Sequence, residues 1–224
     1  MSSIFLLLAL AQVPTSVPQG EEPLIDLEPL HPAFQLDIKY ATTDNFAKVK
    51  AYPVAKCLLR ESVAKKMVKA QNWLDKNYPG TYLIFKDCYR PNDVQAVLWN
   101  AVKNTKMRRY VANPNTKTGS IHSYGAAVDL TLGRKGLGEL SMGTPYDFLG
   151  KLAEPRHEAR YLASGKLSKN QLKNRRLLRK LMTQVAGLRM IRNEWWHFNL
   201  DTPKNVRKRF TRLNVPLSLT SKTQ

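Results

Sequence analysis

Residues 119–132 read Gly119-Ser120-Ile121-His122-Ser123-Tyr124-Gly125-Ala126-Ala127-Val128-Asp129-Leu130-Thr131-Leu132. Small residues surround an imidazole, and the apolar run that follows has the character of a buried strand with a carboxylate inside it. An unpaired charge in such a strand costs several kcal/mol or titrates to its neutral form. A cation removes the conflict, which makes His122 and Asp129 ligands of one metal ion. The third ligand is expected from Glu194-Trp195-Trp196-His197-Phe198, where His197 stands in an aromatic, apolar stretch. Two imidazoles and a carboxylate suit zinc and leave a fourth position for water. Glu194 is then the candidate general base. Residues three apart face opposite ways on an ideal strand, so the segment must bend if Glu194 and His197 are to share a site.

Working outward, residues 81–88 are rich in Tyr, Ile and Phe and predict a further strand. Helical spacing of Val63, Met67, Ala70 and Leu74 predicts a helix over 61–78, stopped by Pro79-Gly80. A second helix is expected from Asn92, with Val94, Val97, Leu98 and Ala101 on one face. Arg90 falls between this strand and this helix, where a rigid support can project it into a cleft. Residues 34–40 alternate like an edge strand, 133–143 form a Gly-rich hairpin or loop, and 188–191 and 195–200 can both be strands. Ser168 is a plausible N-cap of a long helix carrying Leu178, Leu181, Met182 and Val185 on one face and ending at Gly187. Helices interleaved with a few strands predict an α+β fold: a small, mostly antiparallel sheet with packed helices, in a single domain.

The chain has 224 residues and a formal net charge of +19, and residues 151–212 hold 17 Lys or Arg against four acids. No zinc-finger, RNP-type or helix-turn-helix signature accompanies this charge, so no specific nucleic-acid partner is expected. The basic C-terminal half offers contact with an anionic wall or membrane surface, against the plainer reading of a solvated face. Cys57 and Cys88 are consistent either with one disulfide or with two buried thiols. Residues 4–10 are apolar and run into Ala11, which suits a signal peptide and linker over 1–20, although no Lys or Arg precedes them. The expected localisation is periplasmic or secreted if that segment is a signal and cytoplasmic if it is not. No later stretch has the ~20 apolar residues of a membrane span. A domain over 21–215 and a short tail over 216–224 complete the expected layout.

Taken together, Ser120-x-His122 through Gly125 to Asp129, followed downstream by Glu194-Trp195-Trp196-His197, closely resembles the zinc D-alanyl-D-alanine dipeptidases of peptidase family M15. The likeness continues through Asp37-x-Lys39-Tyr40-Ala41-Thr42, Asp87-x-Tyr89-Arg90-Pro91, Met142-Gly143-Thr144-x-Tyr146-Asp147 and Asn174-Arg175-Arg176, over roughly 34–200. The resemblance implies that His122, Asp129 and His197 hold one Zn²⁺, with Glu194 as general acid/base. Arg90 would steady the oxyanion formed at the peptide carbonyl, Asp147 would receive the substrate ammonium, and Ser120 would contact the substrate near its peptide and carboxylate end. The implied reaction is hydrolysis of D-Ala-D-Ala to two D-alanines, in cell-wall peptide turnover or glycopeptide resistance. The rivals are a D,D- or L,D-carboxypeptidase acting on peptidoglycan stems and, from another class, a non-catalytic basic module that binds wall polymers.

Overall fold

The computed structural model describes residues 17–217. The leader expected over 1–20 lies mostly outside the described residues, as does most of the tail expected over 216–224. Among the described residues eight strands form: β1 Leu24–Asp26, β2 Gln35–Leu36, β3 Leu58–Arg60, β4 Thr81–Asp87, β5 Ala127–Arg134, β6 Gly138–Glu139, β7 Arg189–Met190 and β8 His197–Asn199. The α-helices are α1 Glu61–Asn77, α2 Asn92–Val102, α3 Glu158–Ala163, α4 Lys169–Lys180 and α5 Pro203–Arg209. β2, β4, β5, β8 and β7 lie side by side in that order, with β6 also paired to β5 and with β1 and β3 forming a separate ribbon. Every pairing except β2 with β4 is antiparallel, as the α+β expectation required.

β5 is the centre of the sheet because its residues are buried almost throughout and it has neighbours on both sides. Its register sets the later chemistry: Asp129 stands opposite Asp87 of β4 and opposite His197 of β8. The register shifts between Phe85 and Asp87, and such an irregularity re-aims the end of a strand. α1 packs Val63, Met67, Ala70 and Leu74 into the core, as its spacing predicts. Burial of Val63, Met67 and Leu74 contributes roughly 1.5–3 kcal/mol each relative to an exposed side chain. Ser168 caps α4 through a full capping box with Gln171. The helix runs on through a π-helical turn, Leu181–Val185, to Gly187 at φ +66°.

Some expectations need correction. Over 34–40 only Gln35 and Leu36 join the sheet, because the chain then tightens into a 3₁₀ turn, Lys39–Ala41. The expected strands over 188–191 and 195–200 shrink to β7 and β8. α2 turns Gln95, Leu98 and Val102 inward while Val97 is exposed, so its buried face is rotated from the all-apolar one. A polar side chain wins that place through the hydrogen bonds described below. The cysteines form a Cys57–Cys88 disulfide, which ties the approach to β3 to the end of β4.

Candidate metal centre

His122 sits on a 3₁₀ turn, Ile121–Tyr124, that Gly125 terminates at φ +68°. An added Cβ at Gly125 would lie 2.4 Å from a Leu24 methyl, so conformation and space both call for glycine. The turn drops the chain into β5, which delivers Asp129, while β8 presents His197 from the adjacent strand. Three donor atoms converge: His122 Nε2 lies 3.1 Å from His197 Nδ1, His197 Nδ1 lies 2.9 Å from Asp129 Oδ1, and His122 Nε2 lies 3.3 Å from the same oxygen.

The outer hydrogen bonds fix what these atoms can do. His122 Nδ1–H donates to the Cys88 carbonyl at 2.7 Å, and His197 Nε2–H donates to Asn199 Oδ1 at 2.8 Å. Each neutral ring therefore turns a lone pair toward the Asp129 carboxylate. Tyr146 Oη–H donates to Asp129 Oδ2 at 3.0 Å, which leaves Oδ1 facing the imidazoles. Three electron-rich atoms held so closely repel one another unless a cation lies between them. At zinc–ligand distances of ~2.0–2.1 Å, neighbouring tetrahedral ligands stand roughly 3.3 Å apart, close to the spacings found here. The donor set fits one zinc ion. Burial alone would raise the Asp129 carboxyl; without a metal, the charge and N–H groups of protonated His122 and His197 rings would outweigh it and hold the group far below the usual carboxylate range.

Arg90, Ser120, His122, Asp147, Glu194 and His197 border one cavity of about 210 Å³. Bends at Trp195 and Trp196 place Glu194 Oε2 3.9 Å from His197 Nδ1, which resolves the spacing difficulty. Burial pushes the Glu194 carboxyl up to about 8, and Asp129 and Asp147 push the same way. Asp147 has φ +62°, a left-handed conformation that Asp tolerates better than most residues. Its Oδ1 accepts from Tyr40 Oη at 3.1 Å, while Oδ2 is buried and has no hydrogen-bond partner among the described residues. Burial, then the nearby Asp129 charge, pushes the Asp147 carboxyl up to about 8.

Arg90 is clamped from behind. Its Nε donates to Asp87 Oδ2 at 2.8 Å, its Nη2 donates to the same oxygen, and its Nη1 donates to Gln95 Oε1 at 2.7 Å. These bonds use three of the five guanidinium N–H groups. The plane also lies 4.9 Å from the Tyr40 ring centroid, and Tyr52 Oη donates to Asp87 Oδ1 at 2.7 Å.

Every residue singled out in the sequence for chemistry thus comes to one place. Reasoning from the sequence did not assign the supports, Asp87, Gln95, Tyr146 and Asn199. His197-x-Asn199 did carry a signal, since residues two apart share a strand face. Trp195 and Trp196 are core residues, and Trp195 Nε1 also donates to Thr144 Oγ1 at 2.8 Å.

Comparison with known proteins agrees with this geometry. The D-alanyl-D-alanine dipeptidase of Escherichia coli K12 is 33% identical over 177 residues, covering 79% of this chain and 84% of that protein. The enzyme of the same name from Enterococcus faecalis V583 is 33% identical over 184 residues, covering 75% and 86%. A solved vancomycin-resistance D,D-pentapeptidase with Zn(II) is a distant likeness, at 17% identity and a TM-score of 0.31 over 68% of this chain and 78% of that one. The profile of the M15 peptidases described as D-Ala-D-Ala dipeptidase matches residues 20–216, and the chain belongs to that family.

Proposed function

We propose that this protein hydrolyses D-Ala-D-Ala to two D-alanines in cell-wall peptide turnover. The observation that carries the substrate reading is the buried, unpartnered Oδ2 of Asp147, a residue that borders the cavity lined by the metal donors. A free ammonium fits that oxygen with charge and hydrogen bonds, whereas the amide of a longer chain would leave a buried carboxylate without a charged partner. Held by His122, Asp129 and His197, a zinc ion would supply Lewis acidity to the site.

Glu194 borders the same cavity, and a carboxyl raised by burial can take a proton from water and return it to the leaving amine. Arg90 directs its two remaining N–H groups at charge developing on the carbonyl oxygen, from a position held by Asp87 and Gln95. Ser120 serves the carboxylate end of the dipeptide. A cavity of about 210 Å³ suits a small ligand, which favours the dipeptide over a peptidoglycan stem.

The test is D-alanine release from D-Ala-D-Ala as isolated, after chelation, after zinc return, and with Glu194→Ala. Metal-dependent turnover should fall by about 10²–10⁴-fold in the variant while zinc is retained. Trimming of a pentapeptide with no dipeptide hydrolysis would hand the assignment to the carboxypeptidase reading.

The domain proposed over 21–215 follows an exported leader in this reading. Among the described residues no helix is long and apolar enough to cross a membrane. Along α5 a groove is lined by Lys117, Lys204, Arg207, Lys208 and Arg212, with no carboxylate among its lining residues. In this reading that groove is the part of the basic C-terminal half that would meet an anionic wall polymer. Retention on isolated wall should weaken steeply with salt and be lost in Lys204→Ala/Arg207→Ala/Lys208→Ala. Retention indifferent to both would remove the contact.

A further inference from the structure

The segment 141–152 carries Asp147, and α4 holds it from one side. Asn174 Nδ2 donates to the Ser141 carbonyl at 2.9 Å, and Gln171 Nε2 donates to Ser141 Oγ at 3.1 Å. Arg175 reaches further. It is 1% exposed, its Nε donates to the Met142 carbonyl at 2.6 Å, and its Nη2 donates to the Leu152 carbonyl at 3.1 Å. One guanidinium therefore bridges two carbonyls that bracket Asp147. The same group lies 5.9 Å from the ring centroid of Trp195, the neighbour of Glu194 in sequence, and Trp195 in turn donates to Thr144 inside the segment.

We propose that Arg175 is a positioning residue for substrate selection: from the buried face of α4 it fixes both ends of the 142–152 segment and so sets where Asp147 stands relative to Glu194. This inference rests on the reading of Asp147 as the acceptor of the substrate amine. Stability alone is a poor account of such an arginine. Among the described residues its ion pair is with Glu158 Oε1, 3.7 Å from Nη1, and Nη1 has no hydrogen-bond partner. A buried ion pair of this kind is often replaceable by apolar side chains at no loss of stability. What an apolar residue cannot supply is a rigid planar fork that holds two carbonyls at a set separation. Asp147 gains from that rigidity, because its left-handed backbone and half-satisfied carboxylate would relax if the segment were loose. The distance from amine acceptor to proton-transfer carboxylate would then vary, and a dipeptide would no longer be measured by its length.

Arg175→Lys keeps the charge but not the fork, and Thr144→Val removes the Trp195 bridge at nearly constant volume. Both zinc-loaded variants are compared with wild type in KM and kcat for D-Ala-D-Ala, in preference for it over N-acetyl-D-Ala-D-Ala, and in zinc affinity by chelator competition. The expectation is a rise in KM and a fall in preference of about tenfold or more for Arg175→Lys, smaller changes in the same direction for Thr144→Val, and unchanged zinc affinity. A merely structural arginine would lower Tm and the active fraction but leave KM and preference alone. Preference and KM within about twofold of wild type in the folded variants overturn the proposal, and Thr144→Val alone decides it if Arg175→Lys does not fold. Wild-type protein that neither binds nor cleaves the dipeptide would sink the Asp147 reading first and this inference with it.

Discussion

Asn199 and Cys88 touch no substrate, yet they decide which nitrogen of each imidazole faces the metal. The His122 partner is a backbone carbonyl and survives any side-chain change at Cys88, whereas the His197 partner is a side chain that mutation can remove. Asn199→Ala should therefore let the His197 ring rotate or change tautomer and lower zinc affinity by about 10–100-fold, with the fold kept. Competition with a chromogenic chelator measures this, and an affinity equal to wild type would show that β8 alone orients the ring. The ligands were legible in the sequence because a carboxylate in an apolar strand and a histidine among tryptophans are each anomalous. Asp87, Gln95 and Asn199 are not anomalous in sequence, and their value lies in partners that only folding brings within reach. For Arg90 the support comes from both chain directions, three residues before it and five after.

At the scale of elements, the end of β4 is where several demands meet. Asp87 holds Arg90, the Cys88 carbonyl holds His122, the Cys88 sulfur is bonded to Cys57, and Arg90 N–H donates to the His122 carbonyl at 3.2 Å. Replacing both cysteines by alanine should cost about 2–4 kcal/mol of stability, read from urea midpoints, through a less constrained unfolded chain. Because the bridge ends at the residue that orients a ligand, zinc affinity should fall in the same variant. A loss of stability with no change in affinity would mean that β4 pairing suffices to place Cys88. The long elements were readable from local pattern: α1 and α4 by their apolar spacing, β5 by its continuous burial. β2, β7 and β8 were not readable in extent, since two or three residues pair only where a neighbouring strand happens to run. The rotated face of α2 shows the same limit, because Gln95 is drawn inward by Arg90 and by the Ala112 carbonyl, which its Nε2 meets at 2.7 Å.

The whole molecule must carry a cluster of buried acids in a chain of net charge +19, and distant positive charge does not relieve crowding inside one cavity. The folded state, without metal, holds the Asp147 carboxyl at about 8 against an ordinary 3.8, chiefly through burial. Between those values the folded chain keeps a proton that the unfolded chain has released. Stability of the metal-free protein should therefore fall as pH rises from about 5 to 8. Glu194, pushed up to about 8 from 4.5, adds a slope of the same sign. Carboxylates shifted the other way act in a separate window: ionic and hydrogen-bonded partners outweigh burial at Glu22 and Glu154 and lower both. Their stabilisation is present above the ordinary carboxylate range and disappears only as pH falls below it. Thermal melts of chelated protein should show Tm declining from pH 5 to 8, and Asp147→Asn should flatten that decline because an amide has no proton to lose. Zinc should flatten it as well, since a cation beside Asp129 offsets the negative charge that penalises ionised Asp147. A chelated wild-type protein whose Tm is level across this range would mean that Asp147 ionises there at little cost, through water or through movement of the segment 141–152. In that case the carboxylate would be poised to receive an ammonium without the strain that its unpartnered oxygen implies.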